Sequence, residues 1–202
     1  MGHSIDEGDT RTSLARALKQ ELAAAPLDRV TVSGLVRRVG ITRQAFYYHF
    51  SDVTDLAVWT FKEEVADQVL AHRSRARWAD GFLQTMSYMQ DHRDQAYAVL
   101  EALSWRELER FLFSQLRLMM AAIVDEVEED LAAESGLAPR LRDHDRQFIV
   151  DHYTLTVNGH LMHWLSGGMK ADPVGLVDDL EVIMDGAVAR AIRRMARARP
   201  AV

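Results

Sequence analysis

The sequence predicts an all-α protein of about nine helices. Three observations lead there: apolar residues recur at helical spacing along most of the 202 residues, only four prolines interrupt them, and no strand-like alternation appears in the N-terminal region. Residues 1–9, rich in Gly, Ser, Asp and Glu, lack periodicity and are expected to be a disordered tail. From Thr12, Leu14, Leu18 and Leu22 recur at i, i+4 and predict a first helix that Pro26 stops. Thr31 or Ser33 can cap a second, with Leu35, Val36 and Val39 apolar and Gly40 at its end. After Ile41, Thr42 is a suitable N-cap for a third helix from Arg43 to Phe50. Leu56, Ala57, Phe61, Val65 and Val69 mark a fourth.

Helical signal continues beyond Arg77. Phe82, Met86 and Met89 mark one helix, Tyr97 to Leu103 a short one, and Leu108 to Leu131 a long one whose acidic later half is expected to be solvated. Residues 132–142 read as a loop. A long helix from about His144 to Leu165 follows, ended by Ser166-Gly167-Gly168. Asp172-Pro173 opens the last helix, with Pro where the missing N–H is harmless.

Composition excludes several chemistries. No cysteine is present, so thiol catalysis, Cys-ligated metals and disulfides are out. No apolar run long enough to span a bilayer occurs, no membrane partner is implied, and the polar N-terminus is unlike a secretory signal, which leads us to expect a cytoplasmic protein. The absence of a Gly-rich phosphate loop and of any persuasive Ser-His-acid spacing argues against an enzyme, and no cofactor is expected. His160 and His163 stand at i, i+3 with His152 two turns earlier, but only Asp151 could complete a ligand set, so no metal site is predicted.

The net charge of −6 alone argues against nucleic acid, but its distribution argues otherwise. Residues 10–50 carry seven basic and two acidic side chains, a balance of +5, leaving −11 for the rest. Two short helices joined by a tight turn and preceded by a packing helix have helix-turn-helix form. On the second, Phe46 and Phe50 share the side expected to face the core. The other sides pair Arg43 with Tyr47, Gln44 with Tyr48 and Ala45 with His49. No carboxylate lies between Gly34 and Ser51. Arg suits guanine, Gln suits adenine, and Tyr and His donate to phosphates. Composition still leaves open a merely aromatic surface helix.

The run from Thr31 to Phe50 resembles the N-terminal DNA-binding domain of the TetR family of bacterial regulators. A threonine opens the second helix, Gly-hydrophobic-Thr forms the turn, and an aromatic pair precedes His-Phe. The resemblance covers about residues 10–60 and implies a DNA-binding domain over 10–55, with an effector-binding and dimerisation domain over 56–202. It implies base reading by Arg43, Gln44 and Ala45, with Tyr47 on base or backbone. Tyr48 and His49 would hold phosphates, Thr31 and Ser33 would grip the backbone or a flanking base, and Thr42 belongs to the same surface. Many members carry Lys at the start of helix four, where this chain has Val53. Either that phosphate contact is absent, or Lys62 or a residue of helix one supplies it.

The family implies a homodimer on a palindromic double-stranded operator, paired through a four-helix interface, and acting most often as an effector-controlled repressor. Val150, Val157, Leu161 and Leu165, with Leu176, Leu180, Ile183 and Ala187, are the expected interface. The same stripes could instead complete the monomer's core. Gly159 in mid-helix suggests close approach of another helix. Phe82, Met86, Trp105, Phe111, Tyr153, Asn158 and His160 are the candidate lining of an effector pocket, although residues of these types are often plain core. The segment from Asn158 to Lys170 resembles the C-terminal domain of the DhaS-type group, named for an activator that works with a protein coactivator. The effector is therefore expected to be a small molecule or a protein, and activation is an alternative to repression.

Overall fold

The computed structural model describes residues 7–135 and 141–198. In chain order these form α1 (Glu7–Leu22), a 3-10 turn (Leu27–Arg29), α2 (Val32–Val39), α3 (Arg43–His49), α4 (Val53–Ala71) and α5 (Trp78–Asp91). There follow α6 (Arg93–Ala102), α7 (Trp105–Ser135), α8 (Asp143–Ser166), α9 (Pro173–Met184) and α10 (Ala187–Ala198). No strand occurs among the described residues. Residues 7–9, expected in the tail, are the first turn of α1, and residues 1–6 lie outside the described residues. Helix α7 runs to Ser135, four residues into the expected loop, of which residues 136–140 are not described.

The chain forms two compact units. Met1–Glu64 and Asp91–Trp105 make the first, Val65–Gln90 and Arg106–Val202 the second. The expected boundary after residue 55 is displaced, because α4 continues unbroken past it and α6 packs on the 3-10 turn of the first unit. The first core joins Leu14 and Leu18 of α1, Leu35 of α2, Phe46 of α3 and Leu56 and Phe61 of α4. Phe46, Phe50 and Trp59 form an aromatic run with centroids 6.0 and 5.7 Å apart.

In the second unit the interior takes Phe82, Met86 and Met89 from α5, and Leu112, Leu116, Met120 and Val124 from α7. The acidic end of α7 is not simply solvated as expected. Arg75 pairs with Asp130 at 3.0 Å, and its backbone N–H donates to Glu126 at 2.8 Å. Arg193 meets Glu134 at 2.8 Å, and Arg146 bridges Glu128 and Asp125. Partial burial opposes the Arg146 charge, yet the hydrogen bonds to Asp125 and Glu128 outweigh it and hold its pKa above the ordinary value.

Two turns explain where the last helices begin. At the end of α8, Gly168 adopts φ 77° and Met169 closes back on the Trp164 carbonyl at 3.0 Å. The Trp164 indole then donates to the Ala171 carbonyl at 2.9 Å. Asp172 caps α9 by accepting from the N–H groups of Val174 and Gly175 at 3.1 and 3.2 Å. The single last helix read from sequence is broken in two at Gly186, whose φ of 63° is left-handed and stops α9 before α10 starts.

Gly81 is required by a close approach. A Cβ there would stand 2.4 Å from the His72 Cβ, so a side chain forces α5 away from the end of α4. Gly81→Ala is expected to lower stability by about 1–3 kcal/mol, the usual cost of overpacking. Thermal denaturation checks this, and Gly159→Ala is the control: nothing lies within 4 Å of its Cβ position, so the folded subunit should gain up to about 1 kcal/mol.

Candidate nucleic-acid interface

Local chemistry sets α2 and α3 before any packing does. Thr31 caps α2 by accepting from the Gly34 N–H at 3.1 Å, and Thr42 caps α3 by accepting from the Ala45 N–H at 3.1 Å. Between them Gly40 turns left-handed at φ 78°, and its N–H and that of Ile41 both reach the Val36 carbonyl, at 2.8 and 3.0 Å. The three-residue turn therefore follows from Gly40 and Thr42 alone.

Packing then decides which side of α3 is hidden. Phe46 is 0% exposed and Phe50 is buried. Tyr47 and Tyr48 are 57% and 72% exposed, Arg43 and Gln44 are exposed, and Ala45 and His49 are half-buried. The Arg43 guanidinium donates to the Ser33 hydroxyl, joining the start of α3 to the first turn of α2. The Tyr48 and His49 rings meet edge to face at 4.9 Å. Thr31, Ser33, Thr42, Arg43, Gln44, Tyr47 and Tyr48 thus lie on accessible parts of two neighbouring short helices, as their spacing predicts.

Not every cation of this region faces solvent unpaired. Arg38 binds Glu21 through two nitrogens at 2.9 and 2.7 Å and also reaches Gln20, while Lys19 pairs with Glu64. At the start of α4, Asp52 accepts from the Asp55 N–H at 2.8 Å, and Asp55 accepts from the Ser51 N–H at 3.0 Å. Two carboxylates therefore occupy that helix end, and Lys62 is half-buried.

The expected pairing stripe needs correction. Val150, Val157, Leu161, Leu165 and Leu180 are buried within the subunit, leaving no surface for a partner. Leu176 and Ala187 are half-buried, and only Ile183 is well exposed, at 68%. The apolar face that α8 leaves uncovered is the opposite one: Phe148, His152, Leu155, Gly159 and His163, with Phe148 and Leu155 55% and 59% exposed. Their spacing of four, three, four and four was available in the sequence as a second stripe.

The candidate pocket residues differ in exposure. Phe82 and Met86 are core, Trp105 and His160 are exposed, and Phe111 is half-buried. Burial raises the half-buried Tyr153 phenol above its ordinary pKa, opposed by nearby Arg190. Asn158 is buried with its Oδ1 unpartnered. A cavity of about 600 Å³ lies elsewhere, lined by Trp78, Ile123, Val127, Val182 and Val188 with Arg75, Glu181 and Asp185. It shares no residue with the predicted lining. Among the described residues no group of three or more His, Asp or Glu is placed to hold a metal ion, and no helix is long and apolar enough to cross a membrane.

Comparison with known proteins decides the family. Residues 14–58 match the description "Bacterial regulatory proteins, tetR family", and residues 76–186 match "Transcriptional regulator C-terminal region" of the same family. The chain belongs to the TetR family. It is a DNA-binding transcriptional regulator. Among solved structures, the dihydroxyacetone kinase operon activator DhaS aligns at 15% identity with a TM-score of 0.56, covering 92% of this chain and 97% of that one. A Pseudomonas aeruginosa PAO1 protein described as a transcriptional regulator aligns at 15% identity and 0.50, covering 95% and 96%. At this identity both speak for the TetR fold alone. No curated protein matches the sequence.

Thr42 carries a prediction independent of DNA. Thr42→Ala removes the only side-chain cap of a seven-residue helix and should cost about 1 kcal/mol, measured by denaturant unfolding; Thr42→Ser should restore most of it.

Proposed function

We propose that the protein is a cytoplasmic homodimer that binds a palindromic operator through α3 and acts by binding, without catalysis, as an effector-controlled repressor. The observation that carries this reading is the outward side of α3, where Arg43, Gln44 and two exposed tyrosines stand without a carboxylate from Gly34 to Ser51. Arg43, Gln44 and Ala45 read base edges, Tyr47 serves base or backbone, and Tyr48, His49, Thr31 and Ser33 hold phosphates. The hydroxyl of Thr42, like that of Thr31, accepts a cap N–H and keeps its proton to donate, so Thr42 shapes the turn and belongs to the same phosphate-facing surface. Asp52 and Asp55 repel phosphate at the start of α4, so the contact absent at Val53 is not replaced there. Exposed Arg11 and Arg16 of α1 are better placed to supply it.

Pairing uses the uncovered side of α8, with Leu155 and Gly159 at its centre and Ile183 of α9 beside it. An open position above a mid-helix glycine admits a second helix closely, which accounts for a residue that costs stability in an isolated subunit. The effector, a small molecule or a protein, acts on the second unit. For a small molecule, the 600 Å³ cavity has a suitable size, since ligand sites commonly span roughly 300–1,000 Å³. Likeness to DhaS, named as an operon activator, favours activation as the second reading.

Selection of bound duplexes from a random pool is expected to return a two-fold symmetric site, and a pool with no enriched palindrome would sink the reading. On the selected site, Arg43→Ala should cost about 1–3 kcal/mol of binding and relax preference at one position per half-site, while stability falls by no more than the exposed bond to Ser33 contributes, about 1 kcal/mol. For the dimer, Leu155→Glu should give a folded monomer by sedimentation, whereas Val157→Glu, buried in the subunit, should fail to fold.

A further inference from the structure

The cavity of about 600 Å³ lies wholly within the second unit, walled by the start of α5, the later part of α7 and the junction of α9 with α10. Trp78, 6% exposed, closes it on one side together with Ile123 and Val127, both buried. Glu181 and Asp185 line it too, one turn apart at the end of α9 and so on one face. Apolar surface and unbalanced acid therefore meet in one space.

Nothing in the subunit answers those two carboxylates. Like charges one turn apart repel, and a helix C-terminus favours cations, yet the last turn of α9 has no basic residue. The start of α10 offsets the end of α9, since helix ends of opposite sign meet at Gly186, which leaves the side chains to set the charge. Neither the Glu181 nor the Asp185 side chain makes an ion pair or hydrogen bond among the described residues. Arg75, the cation of the lining, is already taken: its guanidinium by Asp130 at 3.0 Å and its backbone N–H by Glu126. Arg190 of α10 turns over Gly186, its Nη1 3.2 Å from where a Cβ would stand, and its charge acts on Tyr153.

We propose that the cavity takes an organic cation, an amine or quaternary ammonium whose charge is met by Glu181 and Asp185 and whose apolar body lies along Trp78, Ile123 and Val127. The inference rests on the small-molecule effector reading given above and names the class of molecule. Indole is the side chain that attracts a cation most strongly, and two carboxylates supply the charge-assisted hydrogen bonds. An anion of the same shape meets two like charges and gains Arg75 only by drawing it from Asp130. A neutral molecule leaves both carboxylates unanswered. Discrimination is thus by sign of charge first and by shape second.

Three probes of nearly one shape test this on the full-length protein: phenethylamine, phenethyl alcohol and hydrocinnamate, which at neutral pH are cationic, neutral and anionic. Calorimetry should rank them in that order, the amine tighter than the alcohol by about tenfold or more. E181Q/D185N, checked for folding by circular dichroism, should bring the amine down to the affinity of the alcohol and leave the alcohol unchanged, whereas a merely distorted cavity weakens both. If the double variant does not fold, E181Q alone should narrow the gap. Equal affinity for amine and alcohol, tighter binding of hydrocinnamate, or an amine preference that survives these substitutions overturns the cation assignment while leaving the cavity as an effector site. Failure of all three probes to bind at millimolar concentration overturns the cavity as a site. An amine that binds as expected without changing operator affinity keeps the site and overturns the effector reading on which it rests.

Discussion

Helix α3 has seven residues, too few for its own hydrogen bonds to hold it, and everything the first unit presents to DNA depends on how that shortfall is met. Phe46, fully buried and continued by Phe50 and Trp59, supplies the packing from one side. Thr42 supplies the cap, and Arg43 ties the helix start to Ser33 of α2. Because two aromatics on one side carry the apolar burden, the remaining positions of the helix are not needed for packing. Polar and aromatic groups can then be placed there for their hydrogen-bonding chemistry, which explains how so short a helix displays Arg43, Gln44, Tyr47 and Tyr48 together.

Charge is organised by the same economy of position. Arg38 and Lys19 look like part of a DNA-facing set by sequence, yet both are engaged by acids of their own unit. In the second unit, cations from three separate segments, Arg75, Arg146 and Arg193, close on the acidic end of α7. Exposed pairs of this kind contribute little individually, about 0–1 kcal/mol. Their collective effect is to neutralise a run of like charge on one helix, which would otherwise oppose its own extension. The −11 balance outside residues 10–50 is thus a sum of paired groups as well as solvated ones.

The helix-turn-helix was legible in the sequence because its determinants are local: Thr31, Gly40 and Thr42 act within one turn of themselves, and Phe46 and Phe50 repeat at helical spacing. The face proposed for pairing was not, because α8 carries two apolar stripes. Val150, Thr154, Val157, Leu161 and Leu165 are the more continuous and so read as the stronger seam, yet a subunit buries its most continuous stripe first. What remains for a partner is the interrupted stripe of Phe148, Leu155 and Gly159. The break at Gly186 was missed for a related reason, since apolar periodicity carries through Ile183 and Ala187 although the backbone does not. The cavity shares none of the residues chosen for a pocket: Phe82 and Met86 fill space, whereas the cavity is walled by Ile123, Val127 and Val188, which sequence cannot distinguish from core.

On the proposed effector-controlled reading, helix α4 is one route by which an effector bears on DNA affinity. It contributes Leu56 and Phe61 to the first unit's interior and Val65 and Val69 to the second's, as one uninterrupted helix. Just past its last residue, His72 lies against Gly81 of α5 with no side chain between, so a shift of α5 is felt directly by the end of α4. Trp78, which lines the cavity, is three residues from Gly81 on that same helix. Occupancy alone is not sufficient. A molecule that fills the cavity equally well in every position of α5 leaves the equilibrium of the first unit untouched, however tightly it binds. On the proposed reading, an effector in this cavity must prefer a single placement of Trp78, and by linkage operator DNA must then change its affinity by the same factor.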